Sequence, residues 1–277
     1  MTGPRKINKP LVLYGKGKLG MLAAEIFKKM GIPFDHIDSN DNLDEWWMKN
    51  ISLVAICIAS EPYKPIEEYL RKAGYEDVVS IYDIFEAYPG CGITSGWFTG
   101  EISENDQVQI NFVEYGFADY ISSWQYREFR KWHENREELL IYQNSEYRTN
   151  RWYIPEVQSI LKLGHEITYP ELRGNTLRDI ERRRTTFPQF QNQPMGGSFS
   201  YIQLHLEGRE LENVEANMGY FQRNRPILAV TVYHSRDGLW QIEKTLVDNL
   251  QDYRFLFRLH AYQGQGAIFY CVPKERG

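Results

Sequence analysis

Residues 10–16, Pro-Leu-Val-Leu-Tyr-Gly-Lys, read as a short apolar strand running into Gly15-Lys16-Gly17-Lys18-Leu19-Gly20. A helical pattern begins at once. Leu19, Leu22, Ala23, Ile26, Phe27 and Met30 recur at three- and four-residue steps until Gly31 and Pro33 stop them. Phe34 to Asp38 then alternates as a strand and closes on an acid. Strand, glycine turn, helix, strand and acid in this order describe a dinucleotide-binding unit of Rossmann-like type. Each glycine has a separate reason to be there. Gly15 permits the tight turn, Gly17 lets a pyrophosphate approach the backbone, and Gly20 lets the helix pack on the strand. The free N–H groups of the helix start face the anion. Gly15, Gly17, Gly20 and Asp38 are therefore the candidate nucleotide-binding residues. The competing reading keeps the glycines for packing alone, in a unit that has lost its ligand.

The alternation continues downstream. Ile51 to Ala59 is an unbroken apolar strand, Pro65 opens a helix through Ala73, and Asp77 to Ile81 is another strand. Such βαβα order predicts a parallel sheet with right-handed crossovers. The turn formers Pro89-Gly90-Cys91-Gly92 close this first unit, residues 1–92. The 277-residue chain suits about two units of roughly 150 residues each. With 42% apolar and 25% charged residues it is globular in composition. A formal charge of −5 argues against a nucleic-acid partner. The longest uncharged apolar run, Leu53 to Ser60, is far below the roughly 20 residues of a membrane span. No signal-peptide core follows the first residues, and three scattered cysteines fit a reducing cytoplasm.

Residues 93–150 read as a helical connector. Ser103 caps one helix, with Asp106 three residues on and Val108, Ile110, Phe112, Val113 and Phe117 following. From Asp119 to Leu140 a second helical pattern carries Trp124, Tyr126, Phe129 and Trp132 as a core stripe, with His133 expected on the surface. Beyond it, prolines punctuate 141–198 and 189–197 reads as a loop. Arg178 to Arg184 is a basic cluster, expected to be a solvated face with Asp179 and Glu181 as its internal partners.

The final unit, residues 151–277, shows strand, helix, strand, helix and a closing hairpin: Ser198 to Leu206, Glu210 to about Arg223, Pro226 to Val232, Leu239 to Leu250, then Tyr253 to His260 and Ala267 to Val272. Within it YIQLHLEGRE, PILAVTVYH, DGLWQIE and YRFLFRLH resemble the motif run of FkbM-type S-adenosylmethionine-dependent methyltransferases. That family carries I-K-x-D-I-E-G-x-E, P-x-L-A-I-S-V-Y-H, D-L-W-x-I-P and Y-x-F-x-L-R-x-H at these places. GWFTGEISENDQ and RWYIPE also look like the front half of its longer members. The resemblance implies a partial Rossmann-like methyltransferase sheet, S-adenosylmethionine as the family cofactor, and a site around His205, Glu207 and His234.

Two departures point away from methyl transfer. The family's D-x-G-A-x-x-G turn is missing where Leu161 to Pro170 passes straight through, as if the chain were shortened by on the order of a hundred residues at about 30 per βα unit. Gln203 and His205 also stand where the family has Lys and Asp, while Glu207, Gly208 and Glu210 are kept. His205 reads either as a base near neutral pH or as a structural hydrogen-bonder. Glu207 is expected to cap the next helix. No metal site is expected.

Three functions stay open. One is a degenerate, methyltransferase-like subunit that binds a ligand or partner in glycan, lipid or natural-product modification. The second is an active O-methyltransferase acting on a sugar or hydroxylated small molecule. The third is a nucleotide or nucleotide-sugar binder working through the first unit. With its neighbours missing, Tyr201 to Leu206 would be a bare sheet edge, to be covered by residues 141–198, by the first unit or by another chain, and a homo-oligomer or hetero-complex is predicted on this ground.

Overall fold

A computed structural model describes residues 3–41, 49–138, 151–161, 166–169, 176–185 and 199–276. The loop expected over 189–197, and half of the stretch where the glycine turn is missing (162–165 and 170), lie outside them. The protein is mixed α/β with two sheets. The first has four parallel strands in the order β2-β1-β3-β4. They are β1 (Leu11–Tyr14), β2 (Phe34–Ile37), β3 (Leu53–Ile56) and β4 (Asp77–Ser80), with α1 (Lys18–Lys29) and α2 (Tyr63–Lys72) as crossovers. β1 and β3 are buried along their whole length, as unbroken apolar runs in a parallel sheet must be. α3 (Ile81–Ala87) starts directly after β4, capped by the Ser80 hydroxyl, and takes Ile81 out of the strand predicted for it.

The second sheet has five strands in the order β5-β6-β7-β9-β8. β5 (Glu166–Tyr169), β6 (Tyr201–Leu204) and β7 (Ile227–Thr231) run parallel, and β9 (Ala267–Pro273) is inserted antiparallel between β7 and β8 (Tyr253–Leu259). This is the closing hairpin expected from the sequence. The bare edge is not there. β5 pairs with β6 from Glu166 opposite Tyr201 to Tyr169 opposite Leu204, so the chain itself covers Tyr201 to Leu204. The ground for a second chain on that strand is thereby removed.

Helices α4 (Glu104–Tyr115) and α5 (Tyr120–Asn135) pack on this second sheet. Ser103 caps α4 by accepting the Asp106 N–H at 3.1 Å, as its spacing predicted. Along α5, Tyr126 and Phe129 enter the core of the second sheet and Trp132 enters that of the first. His133, expected on the surface, is fully buried, its ring stacked on Trp97 at 3.6 Å. Its charged neighbours Lys131 and Glu134 turn outward, while one helical turn carries His133 onto the apolar face with Phe129. The remaining helices are α6 (Pro155–Gln158), α7 (Leu177–Thr185), α8 (Glu210–Asn224) and α9 (Gln241–Asn249). Among the described residues no helix is long and apolar enough to cross a membrane.

Two side chains tie the halves together just beyond α5. Arg136 is buried and pairs with Asp83 of α3 at 2.8 Å, and it also donates to the Gly96 and Trp97 carbonyls. Glu138 accepts the Tyr63 N–H of α2 at 3.1 Å and the Gln263 N–H of the β8–β9 hairpin at 2.6 Å. Burial pushes the Glu138 carboxyl up to about 7. A raised folded pKa means the folded state holds the proton more tightly than the unfolded one. Its contribution is therefore full below the ordinary value of 4.5 and lost as pH rises through about 7. Melting temperature is expected to fall between about pH 5 and pH 8, and to fall less in Glu138→Gln. Parallel curves for the two proteins would count against this origin.

Candidate functional site

Gly15 and Gly20 have the turn and packing roles their spacing implied, and Gly17 stands in open space. Gly15 sits at φ +110°, where a Cβ would meet Ile58, just past the end of β3. A Cβ on Gly20 would run into the Gly15 carbonyl oxygen, so helix and loop touch backbone to backbone there. Gly17 has nothing within 4 Å of its absent side chain. It caps α1 without any side-chain hydrogen bond, and no acid lies in the first turn. The first N–H groups of α1 thus open onto space beside the carboxyl end of β1. Asp38, at the end of β2, accepts the Lys16 N–H at 2.7 Å, and that bond first of all holds its carboxyl below the usual range. The His36 ring bonds the Gly15 carbonyl at 2.9 Å, a support the sequence reading did not single out.

The second set of candidate residues stands at the carboxyl ends of β6 and β7. His205 follows β6 directly, and Glu207 occupies a left-handed turn at φ 53° just before Gly208. His234 follows β7, its ring parallel to that of His205 with centroids 4.8 Å apart. His205 Nε2 lies 3.4 Å from Glu207 Oε1, and His234 Nε2 lies 3.7 Å from Glu207 Oε2. Glu207 does not cap α8. The start of α8 carries no side-chain cap bond. Glu210, its first residue, instead ties down the turn before it: its carboxylate accepts the Leu206 and Gly208 N–H groups at 2.9 and 2.8 Å and the Thr231 hydroxyl at 2.7 Å. Glu210 also bonds His234 Nδ1 at 2.6 Å.

Glu207 instead receives Arg183 Nε at 2.6 Å. Arg183 sits on the buried face of α7 with Leu177 and Ile180, six and three residues back. The solvated face predicted for the basic cluster therefore does not hold for this residue. The i, i+3, i+6 spacing with two apolar residues was the signal that could have found it.

Charge in this cluster is tightly matched. Burial alone would raise Glu207, but His234, His205 and Arg183 outweigh it and hold the carboxyl well below its ordinary value. Burial pushes His205 down to about 4, so its imidazole is neutral at pH 7. Burial would also lower His234, yet Glu207 and Glu210 together raise it. Neutral His205, anionic Glu207 and a cation-favouring place at His234 thus meet at one point.

Both sets line one cleft of about 980 Å³ between the sheets. Gly15, Gly17 and Asp38 form one wall, and His205, Glu207 and His234 form the other. Gly20 is packed underneath and does not reach it. The carboxyl ends of the parallel strands of both sheets therefore face each other across the same space, where open α/β sheets place their ligands. Its volume lies within the range of small-molecule sites. Arg151 and Tyr233 also border it.

No family model matches the sequence. No curated protein matches it. In fold, the chain is similar to the crystal structure of the methyltransferase FkbM from Methylobacillus flagellatus KT, with a TM-score of 0.54 at 13% identity over 95% of this chain and 90% of that one. Likeness at this identity speaks for the Rossmann-like methyltransferase fold alone. With most of the neighbour spanned, it lends no support to a shortened chain.

Proposed function

We propose that this protein binds a phosphorylated, nucleotide-type small molecule in the cleft between its sheets, on a methyltransferase-like fold that does not transfer methyl groups. The observation that carries this reading is the shared cleft: the open helix start at Gly17 and the His205–Glu207–His234 cluster face one ligand-sized space. The ligand's phosphates would lie on the first turn of α1, with Asp38 beside a ribose. Loss of methyl transfer rests on the sequence, which has Gln203 and His205 where FkbM-type enzymes have Lys and Asp and lacks their glycine turn. The setting implied by the resemblance is modification of a glycan, lipid or natural product, with this chain as the ligand-holding subunit beside an enzyme.

Calorimetric titration with UDP-sugars, NADH and NADPH, and with S-adenosylmethionine in parallel, tests the reading. One of the nucleotides is expected to bind and S-adenosylmethionine is not. Gly17→Val is expected to abolish nucleotide binding while costing at most about 1 kcal/mol of helix capping. Tight S-adenosylmethionine binding would overturn the loss of methyl transfer. Silence towards every nucleotide would overturn the ligand class.

A further inference from the structure

Two neighbouring parallel strands deliver three potential metal ligands to one point. His205 and Glu207 leave β6 and His234 leaves β7, and one donor atom from each lies within 4.8 Å of the others. Two donors that are each about 2.1 Å from one ion stand no more than about 4.2 Å apart. His205 Nε2 lies 3.4 Å from Glu207 Oε1 and His234 Nε2 lies 3.7 Å from Glu207 Oε2, so each imidazole is already within that limit of one carboxylate oxygen. One donor from each of the three side chains lies within 4.8 Å of the others, and a small closure brings all three to one ion. We propose that His205, Glu207 and His234 form a two-histidine, one-carboxylate site for a divalent cation of the zinc and iron(II) class, with its remaining coordination positions open to the cleft.

The surroundings are built as such a site requires. Glu210 is buried and bonds His234 Nδ1 at 2.6 Å, which fixes the ring and turns Nε2 towards Glu207. Arg183 occupies Glu207 Oε1 and leaves the approach of His234 to Oε2. Glu207 itself is held in a left-handed conformation that a residue with a side chain adopts only at a cost, and there it places its carboxylate between two imidazoles. Two imidazoles with one carboxylate suit zinc, iron, cobalt or nickel better than magnesium or calcium, which take oxygen ligands throughout. Three protein ligands leave positions for exchangeable groups. Glu207 and Glu210 stand against Arg183, with Arg151 also bordering the cleft, so a divalent ion leaves the site with surplus positive charge. The open positions therefore favour an anionic oxygen donor such as a phosphate or carboxylate of the ligand.

The site depends on no contact with the glycine loop, so it stands or falls separately from nucleotide binding. The test uses the full chain dialysed against a chelator, with no nucleotide present. Zinc is titrated by calorimetry and cobalt(II) by its visible absorption. One ion per chain is expected, with ligand-field bands for cobalt. His205→Asn removes a direct ligand and is expected to weaken binding by more than about 10-fold, the least that losing an outer-shell partner costs. The His205 side chain is 15% exposed, and its replacement is expected to leave the melting temperature of the metal-free protein in place. His205→Gln is the second variant should the first not fold. Gly17→Val must bind metal as the parent does. No stoichiometric uptake of either ion, or equal uptake by both His205 variants, would overturn the site and leave Arg183, Glu207, His234 and Glu210 as a closed ionic cluster.

Discussion

Gly20→Ala is expected to destabilise the protein by about 3 kcal/mol, the upper end of the usual cost of overpacking. The new methyl would meet the Gly15 carbonyl oxygen, and neither partner is a flexible side chain that can swing aside. α1 must lift from the loop. That movement also withdraws its first N–H groups from the cleft, so nucleotide binding is expected to fail with stability. Gly17→Val separates the two effects, because nothing stands within 4 Å of that position. Urea denaturation of the two variants beside the parent gives the comparison. If Gly20→Ala unfolds at the parent's midpoint, the close helix–loop packing is wrong.

The second large effect is expected at Asp83→Ala, with a loss of about 3–5 kcal/mol. Arg136 has no exposed surface, and Asp83 pairs with it at 2.8 Å. Burial raises the Asp83 carboxyl more than the guanidinium lowers it, so the intact pair gains little over a neutral replacement. Removing one partner is different. It leaves a guanidinium without its counter-charge, held by the Gly96, Trp97 and Trp132 carbonyls and by the Trp132 and Phe98 rings at 4.9 and 5.6 Å. The double variant Asp83→Leu, Arg136→Met is expected to recover most of the loss. A single-variant cost below about 1 kcal/mol would place the attachment of α5 to the first sheet elsewhere.

Local periodicity carried most of the first sheet and the hairpin of the second. β1, α1 and β2 fall within a residue or two of their predicted bounds, because alternation and three-to-four spacing are set by neighbours along the chain. What escaped is tertiary. The pairing of β5 with β6 could not be read from Glu166 to Tyr169, four residues with no apolar run to mark them. His133 and Arg183 were read by the charges beside them in sequence, whereas the helix turns both onto buried faces. Glu207 and Glu210 are three residues apart and of one chemistry. Only the fold shows that the second ties down the turn while the first faces the histidines. His205, Glu207 and His234 were legible singly, through the motifs around them. Their convergence was not, since 26 residues of turn, helix and strand lie between Glu207 and His234.

The position of α5 also sets an order of assembly. The Ser122 hydroxyl accepts the Phe257 N–H across a sequence separation of 135 residues, and Gln125 accepts the Leu259 N–H across 134. Tyr126 and Phe129 have Phe257 as a ring neighbour at 5.3 and 5.5 Å. During synthesis the first sheet has all four strands in place long before β8 exists. α5 can dock Trp132 early, but its remaining aromatic face must wait for nearly the last strand. On a ribosome adding about 5–20 residues per second, that greasy face stays uncovered for roughly 6 to 30 seconds. The nascent chain therefore passes through a half-finished state that invites chaperones, and every late-stage truncation ahead of Tyr253 would trap it there.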